Sequence, residues 1–257
     1  MIPIKTNEEI KIMRQAGKRL AHILQLLVKS VRPGISTLEL DRLAEKLILE
    51  SGAEPAFKNY QPDTASGRSG YPATLCVSIN QEVVHGIPRA DRILKEGDII
   101  GLDCGLKLNG YYSDMAVTIG VGKIKPADQK LIDVTKKSLS LGIKKIKNGV
   151  HLGDISAVIQ RYVEKNGFSV VRNLSGHGIG KELHEEPSIL NFGQDGTGPI
   201  LKAGITLAIE PMVNVGTWKI TTASDGWTIM TADGQNSAHF EHTILVTKKG
   251  AEILTRK

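Results

Sequence analysis

An internal repeat constrains the architecture of this 257-residue chain more than any other feature of its sequence. Gly34-Ile35 precedes a helical pattern that ends at Gly52, and Gly149-Val150 precedes a second helical pattern that ends at Gly167. Both pairs of glycines are 115 residues apart. Chance explains any single match of this kind, but several matches in the same order indicate a duplicated supersecondary unit.

The strands of the two copies also correspond. Leu94–Gly97 and Leu201–Gly204 share the pattern Leu-Lys-x-Gly at an offset of 107 residues, and each leads into an apolar strand. Each copy has one carboxylate at the end of that strand and another on a later strand. An aspartate on an edge strand is usually just solvated, but a set of four that follows the repeat indicates a shared function: Asp103, Asp114, Glu210 and Glu241.

The repeat and the hydrophobic periodicity together predict an α+β fold. Apolar residues recur at helical spacing, with capping and stop signals, over four segments: 8–31, 36–51, 126–147 and 152–166. Two helices and an antiparallel sheet in each half predict a sandwich in which helices cover one face of a shared curved sheet. We expect a single domain of two halves, approximately 1–122 and 123–257, with the carboxylates in the concave middle.

Asn109-Gly110 is a strong local signal, because this dipeptide favours a two-residue hairpin turn. With that turn, Asp103 faces Ala116, and Asp114 is a diagonal neighbour on the same face, roughly 7–8 Å from Asp103 at Cα. Two carboxylates in an apolar hairpin repel each other and resist burial. A bound cation removes both costs, and carboxylates with one imidazole suit manganese, iron or cobalt better than a structural thiolate zinc site.

Two histidines, His177 and His184, lie in or just after the glycine-rich segment Gly176–Gly180, where glycines allow close approach of the backbone to a ligand. The segment is not a dinucleotide fingerprint, because it lacks the third glycine at the required position. A lone histidine is more often structural, but two here, in a chain with four strand carboxylates, indicate function. His85 becomes a stronger candidate for a functional residue because His-Gly-Ile occurs at both 85 and 177.

The composition argues against several classes of protein. No apolar stretch approaches the roughly 18 residues that a membrane span needs, and the first 15 residues are charged where a signal peptide is apolar. The two cysteines, Cys76 and Cys104, indicate neither a disulfide framework nor a CxxC metal site. These features predict a cytoplasmic protein. The net charge of +6 fits either an acidic partner such as RNA or simple solubility.

The ordered set Asp103, Asp114, His177, Glu210 and Glu241 resembles the five metal ligands of the type I methionine aminopeptidases. The surrounding motifs also match, over almost the whole chain: VVHGIP, GHGIGKELHEEP, IEPMV, DGWT and FEHTILV. The resemblance implies the pita-bread fold, a pseudo-symmetric pair of halves, and two divalent metal ions per chain (cobalt, manganese or iron). Asp114 and Glu241 would bridge the ions, Asp103 would chelate one, and His177 and Glu210 would complete the other.

The same resemblance implies the reaction. The enzyme would be a monomer that removes the initiator methionine from nascent proteins and peptides, with a preference for a small second residue. A hydroxide between the metal ions would attack the first peptide carbonyl, and Glu210 would handle its proton. His184 would stabilise the tetrahedral intermediate, and His85 would contact the scissile amide region. The methionine pocket would be lined by Tyr71, Cys76 and Trp227, which suit a polarizable thioether.

Three positions depart from the family pattern. Leu183 stands where an aromatic residue is common, and Ala65 and Arg68 stand where other members often carry cysteine and tyrosine. These differences concern the width of the pocket and leave the predicted metal site unchanged.

A basic stretch lies on the predicted third helix, with Lys136, Lys137, Lys144, Lys145 and Lys147. A solvated helical face is the default interpretation. Contact with ribosomal RNA near the exit of the nascent chain is the second interpretation, and it agrees with the implied substrate.

Two other functions remain open from the sequence. A proline-specific relative, such as a prolidase or an Xaa-Pro aminopeptidase, would share the fold and a similar ligand set, but usually carries a large N-terminal domain. A non-catalytic binding protein would also share the fold, but commonly loses metal ligands. The early first helix, the DGWT segment and the complete ligand set favour the methionine enzymes over both.

Overall fold

The computed structural model describes residues 1–61 and 69–256. Its four helices lie close to the predicted segments: α1 (Asn7–Ser30), α2 (Thr37–Glu50), α3 (Pro126–Lys145) and α4 (Leu152–Lys165). Helix α1 begins with a capping box in which Thr6 and Glu9 bond each other's backbone N–H groups. Helix α3 ends two residues before the predicted end because Ile146 is extended. None of these helices combines the length and apolarity of a membrane crossing.

The described residues also form fifteen strands. Five lie between α2 and α3: β1 (Glu54–Pro55), β2 (Leu75–Ile79), β3 (Glu82–Val84), β4 (Ile99–Leu108) and β5 (Tyr111–Gly120). Two follow α4 directly: β6 (Ser169–Val170) and β7 (Ser175–Gly178). Eight lie towards the C-terminus: β8 (Glu185–Leu190), β9 (Thr206–Ile209), β10 (Met212–Asn214), β11 (Ile220–Thr222), β12 (Ile229–Thr231), β13 (Ser237–His239), β14 (His242–Val246) and β15 (Ala251–Ile253).

The strand pairs are antiparallel. Strands β1-β4-β2, with β5 on β4, form a four-stranded sheet, and β15-β14-β9-β7-β8 form a five-stranded sheet. Two three-stranded sheets, β13-β10-β6 and β11-β12-β3, complete the arrangement. Helices α1 and α2 pack on the four-stranded sheet through aliphatic residues such as Leu20, Leu40 and Leu102. Helices α3 and α4 pack on the C-terminal strands through a second cluster that includes Leu131 and Ile155.

The internal repeat is visible in the backbone. Gly34 and Gly149 both have φ of 88°, and their N–H groups donate to the carbonyls of Leu94 and Leu201 at 2.9 and 2.8 Å. Positive φ, which glycine adopts without a steric penalty, recurs at the other matched pairs: Gly52 and Gly167 (75° and 85°), then Gly97 and Gly204 (92° and 96°). The duplication inferred from sequence spacing therefore corresponds to repeated local geometry.

The two larger sheets meet at β5 and β14. The Asp114 N–H donates to Thr243 Oγ1 at 2.9 Å, and that hydroxyl donates back to the Asp114 carbonyl at 2.8 Å. The Glu241 N–H donates to the Ala116 carbonyl at 2.9 Å. Asp114 and Glu241 thus occupy corresponding places on either side of the junction, and their side chains lie at the centre of the molecule.

Candidate active site

The predicted hairpin positions the first two carboxylates. Strands β4 and β5 turn at Asn109-Gly110, both with positive φ, and Asp103 pairs with Ala116 while Asp114 pairs with Gly105. Because side chains alternate across a strand, Asp103 and Asp114 share one face. The opposite face supplies Ile100, Leu102, Leu106 and Leu108, which are buried in the core against the first two helices.

The second pair of carboxylates comes from the five-stranded sheet. Glu210 follows β9, and Glu241 precedes β14, which pairs with β9 in the register His242 to Ile209. Glu241 is 2% exposed and Asp114 is 4% exposed. Carboxylates this deeply buried need a compensating partner.

His177 joins these carboxylates from β7, which lies beside β9. Its Nδ1 is 2.8 Å from the Gly178 carbonyl, which can only accept, so Nδ1 carries the proton and Nε2 has a free lone pair. One ligand atom from each of Asp114, His177 and Glu241 lies within 4.8 Å of the others. The His177 Nε2 is also 3.6 Å from Glu210 Oε1. A backbone carbonyl that fixes the tautomer is typical of a metal-ligating histidine.

The electrostatics of the carboxylates fit a cation. Burial raises the pKa of Asp103 to about 7 and that of Glu210 to about 8. Burial, and then repulsion from the neighbouring carboxylates, raises the pKa of Asp114 and Glu241 well above the usual range. Among the described residues, Asp103 Oδ1 and Glu241 Oε1 have no hydrogen-bond partner. Positive charge at this point would supply the missing partner for both oxygens, so the residues fit divalent metal ions.

Two further histidines face the same space. The rings of His184 and His177 meet edge to face, with 4.3 Å between centroids. His184 contacts solvent at the cavity mouth, yet the protein packed around it lowers its pKa to about 4, so the ring is neutral at pH 7. Burial lowers the pKa of His85 to about 4 as well. His85 has φ of 59°, a left-handed conformation that is uncommon for residues other than glycine and concentrates at functional sites.

These side chains line one cavity of about 490 Å³. It contains all the predicted metal ligands, both predicted catalytic histidines, and the predicted pocket residues Tyr71, Cys76 and Trp227, together with Leu183. Tyr71 and Trp227 meet edge to face at 5.3 Å, and the Tyr71 hydroxyl donates to the Gly86 carbonyl at 2.9 Å. Burial raises the pKa of the Cys76 thiol, which keeps it neutral. The pocket beside the carboxylates is therefore apolar, aromatic and sulfur-containing. Ala65 and Arg68 lie outside the described residues.

The sequence profile of metallopeptidase family M24 matches residues 11–248. The chain belongs to metallopeptidase family M24. It is similar to the methionine aminopeptidase of Clostridium perfringens, with 52% identity over 255 residues that cover 99% of both chains. The crystal structure of methionine aminopeptidase from Thermotoga maritima matches with a TM-score of 0.96 at 46% identity, over the full length of both chains. The resemblance found in the sequence motifs is confirmed.

A more distantly related solved structure has the same fold as this M24 chain. The Xaa-Pro dipeptidase from Bacillus anthracis is 23% identical with a TM-score of 0.75, and the match covers 99% of this chain but 62% of that one. At this identity the likeness shows the fold alone. These superpositions confirm the predicted pita-bread fold, with its antiparallel sheets and covering helices.

The sequence reasoning did not single out several residues of this M24 site. His239 is buried and its Nε2 is 3.4 Å from Glu210 Oε2. Tyr60 hydrogen-bonds to Nδ1 of His184 through its hydroxyl. Phe57, Val84 and Met212 complete the apolar wall. His239 could have been suspected because it lies two positions before Glu241, whereas Tyr60 is 124 residues from His184 and has no local signal.

Proposed function

We propose that this protein is a metal-dependent methionine aminopeptidase that removes the initiator methionine from nascent proteins and peptides. The observation that carries the proposal is the position of the buried carboxylate and histidine cluster at one side of the Tyr71, Cys76 and Trp227 pocket. A thioether packs well against rings and sulfur. A methionine in that pocket brings its own first peptide bond to the cluster.

Five side chains would hold two divalent ions, for which cobalt, manganese and iron suit the donor set. Asp114 and Glu241 would bridge, Asp103 would chelate one ion, and His177 and Glu210 would complete the other. Bound ions of this kind supply an activated water and polarise the carbonyl under attack. The remaining steps belong to the protein.

Glu210 is the proposed acceptor of the proton from the attacking water. Its side chain is only 13% exposed, and this burial raises its pKa to about 8, which favours a proton on the carboxylate. His184 would donate from Nε2 to the oxygen of the tetrahedral intermediate, because its Nδ1 is engaged by Tyr60. His85 would contact the scissile amide region from the Trp227 side, where the two rings lie 6.5 Å apart.

The preference for a small second residue, a monomeric state and a cytoplasmic location belong to the same proposal. Cys76 and Cys104 are both free and buried, which suits a reducing compartment. We also propose that residues 1–122 and 123–257 are the two halves of a single catalytic domain, since the repeated glycine geometry falls on either side of residue 122.

The decisive test is the release of free amino acid from Met-Ala-Ser and Ala-Pro-Ser, compared side by side. Metal-stripped protein is expected to release nothing, and added Mn²⁺ or Co²⁺ is expected to restore methionine release while Ala-Pro-Ser stays intact. Cleavage of Ala-Pro-Ser instead would identify a proline-specific enzyme. No release from either peptide, with metal bound, would indicate a non-catalytic binding protein.

Association with the ribosome surface through α3 is a further part of the proposal. The lysines of the basic stretch are exposed on one helix and the segment after it. If they contact RNA phosphates, co-sedimentation with ribosomes is expected to fall steeply between 50 and 200 mM salt. Replacing Lys136, Lys137, Lys144 and Lys145 by Gln should weaken that binding and leave tripeptide cleavage unchanged. Binding without salt dependence would contradict the electrostatic contact.

A further inference from the structure

The N-terminal segment contains a lysine in an unusual place. Lys5 precedes α1, and its side chain is only 4% exposed. Lysine is almost never this buried unless it is paired. Its Nζ contacts Glu185 Oε2 at 2.6 Å, and the Glu185 side chain is 11% exposed. A buried ion pair between residues 180 positions apart therefore joins the start of the chain to the residue that follows His184.

The other oxygen of Glu185 organises the turn that carries His184. Glu185 Oε1 accepts from the backbone N–H groups of Lys181 at 2.8 Å and Glu182 at 3.3 Å. The turn is closed by the Gly180 N–H, which donates to the Glu182 carbonyl at 3.0 Å. If Glu185 lost its positively charged partner, its hydrogen bonds to the turn would weaken. The four residues before His184 would then become more mobile.

Gly180 shows how closely the lysine fits. A Cβ at this position would lie 2.4 Å from Lys5 Cε and 2.6 Å from Glu185 Oε1. The third glycine of the glycine-rich segment thus leaves room for the ion pair. The backbone of Lys5 is fixed as well, because its N–H donates to the Gly204 carbonyl at 2.8 Å.

We propose that Lys5 is a positioning residue for His184: it holds Glu185 in place, and Glu185 holds the 180–184 turn that aims the imidazole into the cavity. Lys5 touches no substrate or metal ligand in this arrangement. The kinetic consequence rests on the proposed aminopeptidase function, whereas the consequence for the turn does not.

Lys5→Met removes the ammonium and keeps the length of the apolar stem. Loss of one partner leaves the buried Glu185 charge uncompensated, and a misplacement of about 1 Å in a catalytic group costs up to roughly 10²-fold in rate. We expect kcat for Met-Ala-Ser to fall on the order of tenfold, with KM and bound metal nearly unchanged, because His184 acts in the transition state. Hydrogen exchange at the Lys181 and Glu182 amides should become faster.

Lys181→Met is the matched control. It makes the same chemical change within the turn, but the Lys181 side chain is 68% exposed. Its partner Glu9, at 3.3 Å, also accepts from the Tyr111 hydroxyl and so keeps a partner. Exposed pairs contribute little, so kcat and exchange should stay close to those of the parental protein. Gly180→Ala changes no charge but places a Cβ against both Lys5 and Glu185, so it disturbs the ion pair itself. It should also lower kcat and speed up amide exchange, which keeps the proposal testable if Lys5→Met fails to fold.

Unchanged amide exchange in Lys5→Met would overturn the proposal, and so would faster exchange with unchanged kcat. An equal loss of kcat in Lys181→Met would also overturn it, because any substitution in the turn would then have the same effect. If the parental protein released no methionine, the proposed function would fail, and the exchange comparison would still decide whether Lys5 holds the turn.

Discussion

Asp114→Asn and Glu241→Gln are each expected to abolish the binding of two metal ions and to lower kcat/KM for Met-Ala-Ser by roughly 10³-fold. The loss corresponds to about 4 kcal/mol of transition-state stabilisation, which is the scale of a catalytic metal site. Both carboxylates are buried at the junction of the two sheets, and ligand atoms of both lie within 4.8 Å of one another and of His177. Neutral amides at these positions cannot balance two cations. Metal content after dialysis and steady-state kinetics measure the two effects.

The same substitutions should not destabilise the metal-stripped protein, although they abolish activity. The native pKa of Asp114 is raised well above its ordinary value, so the folded state holds a proton that the unfolded chain has lost. Stability contributed in this way is present at low pH and is lost as the pH rises from the ordinary pKa to the raised one. Stripped Asp114→Asn is therefore expected to melt at or above the parental temperature at pH 8. Added Mn²⁺ should raise the melting temperature of the parental protein alone.

Asp41→Asn supplies a control with a buried carboxylate outside the cavity. Asp41 Oδ1 accepts from the N–H groups of Thr74 and Leu75, both at 2.9 Å. Burial raises the pKa of Asp41, as it does that of Asp114, and an asparagine Oδ1 can still accept from both N–H groups. The melting temperature of the stripped protein should therefore change little, and the response to Mn²⁺ should remain. Full metal occupancy in an inactive Asp114→Asn protein would contradict the bridging role.

His184→Ala is expected to keep both metal ions and to lower kcat by roughly 10²- to 10³-fold, the usual cost of removing one donor to a developing oxyanion. KM should change little, because the proposed hydrogen bond strengthens only in the transition state. His184 lies in edge-to-face contact with the proposed ligand His177, but contributes no atom to the cluster of potential ligands around Asp114. Single-turnover rates and metal analysis on the same samples separate the two effects.

His151→Ala provides the comparison for loss of a histidine elsewhere. His151 precedes α4, and its Nδ1 is 3.0 Å from the Gly198 carbonyl. This substitution should alter stability slightly and leave kcat unchanged. A fully active His184→Ala protein would contradict the proposed role of His184 in stabilising the oxyanion. Loss of metal in that variant would indicate that His184 is a metal ligand instead.

The elements of this fold follow from local patterns in the sequence. Capping signals such as Ser36 or Thr37 and stop signals such as Gly52 placed the ends of all four helices to within two residues. Asn109-Gly110 specified the hairpin, and with it the register that puts Asp103 and Asp114 on one face. These features are readable because turn chemistry and side-chain alternation act over a few residues.

The set of candidate metal ligands was also readable, but for a different reason. The carboxylates repeat with the duplicated unit, and the motifs around them match a family whose profile covers most of the chain. The burial of all four carboxylates could be expected only because they follow the repeat and the order of the family motifs. The strong rise in the pKa of Asp114 and Glu241 became evident only with their neighbours in place.

By itself, the sequence determined the helices, the hairpin register, the duplicated architecture and the set of residues that could bind metal. Only the tertiary structure decided which distant side chains support that set: His239 beside Glu210, Tyr60 on His184, and Lys5 on Glu185. Local signals act through neighbours in the chain, whereas these contacts join residues up to 180 positions apart. Such contacts form only when the packing of several helices and sheets brings the segments together, and no short pattern encodes that outcome.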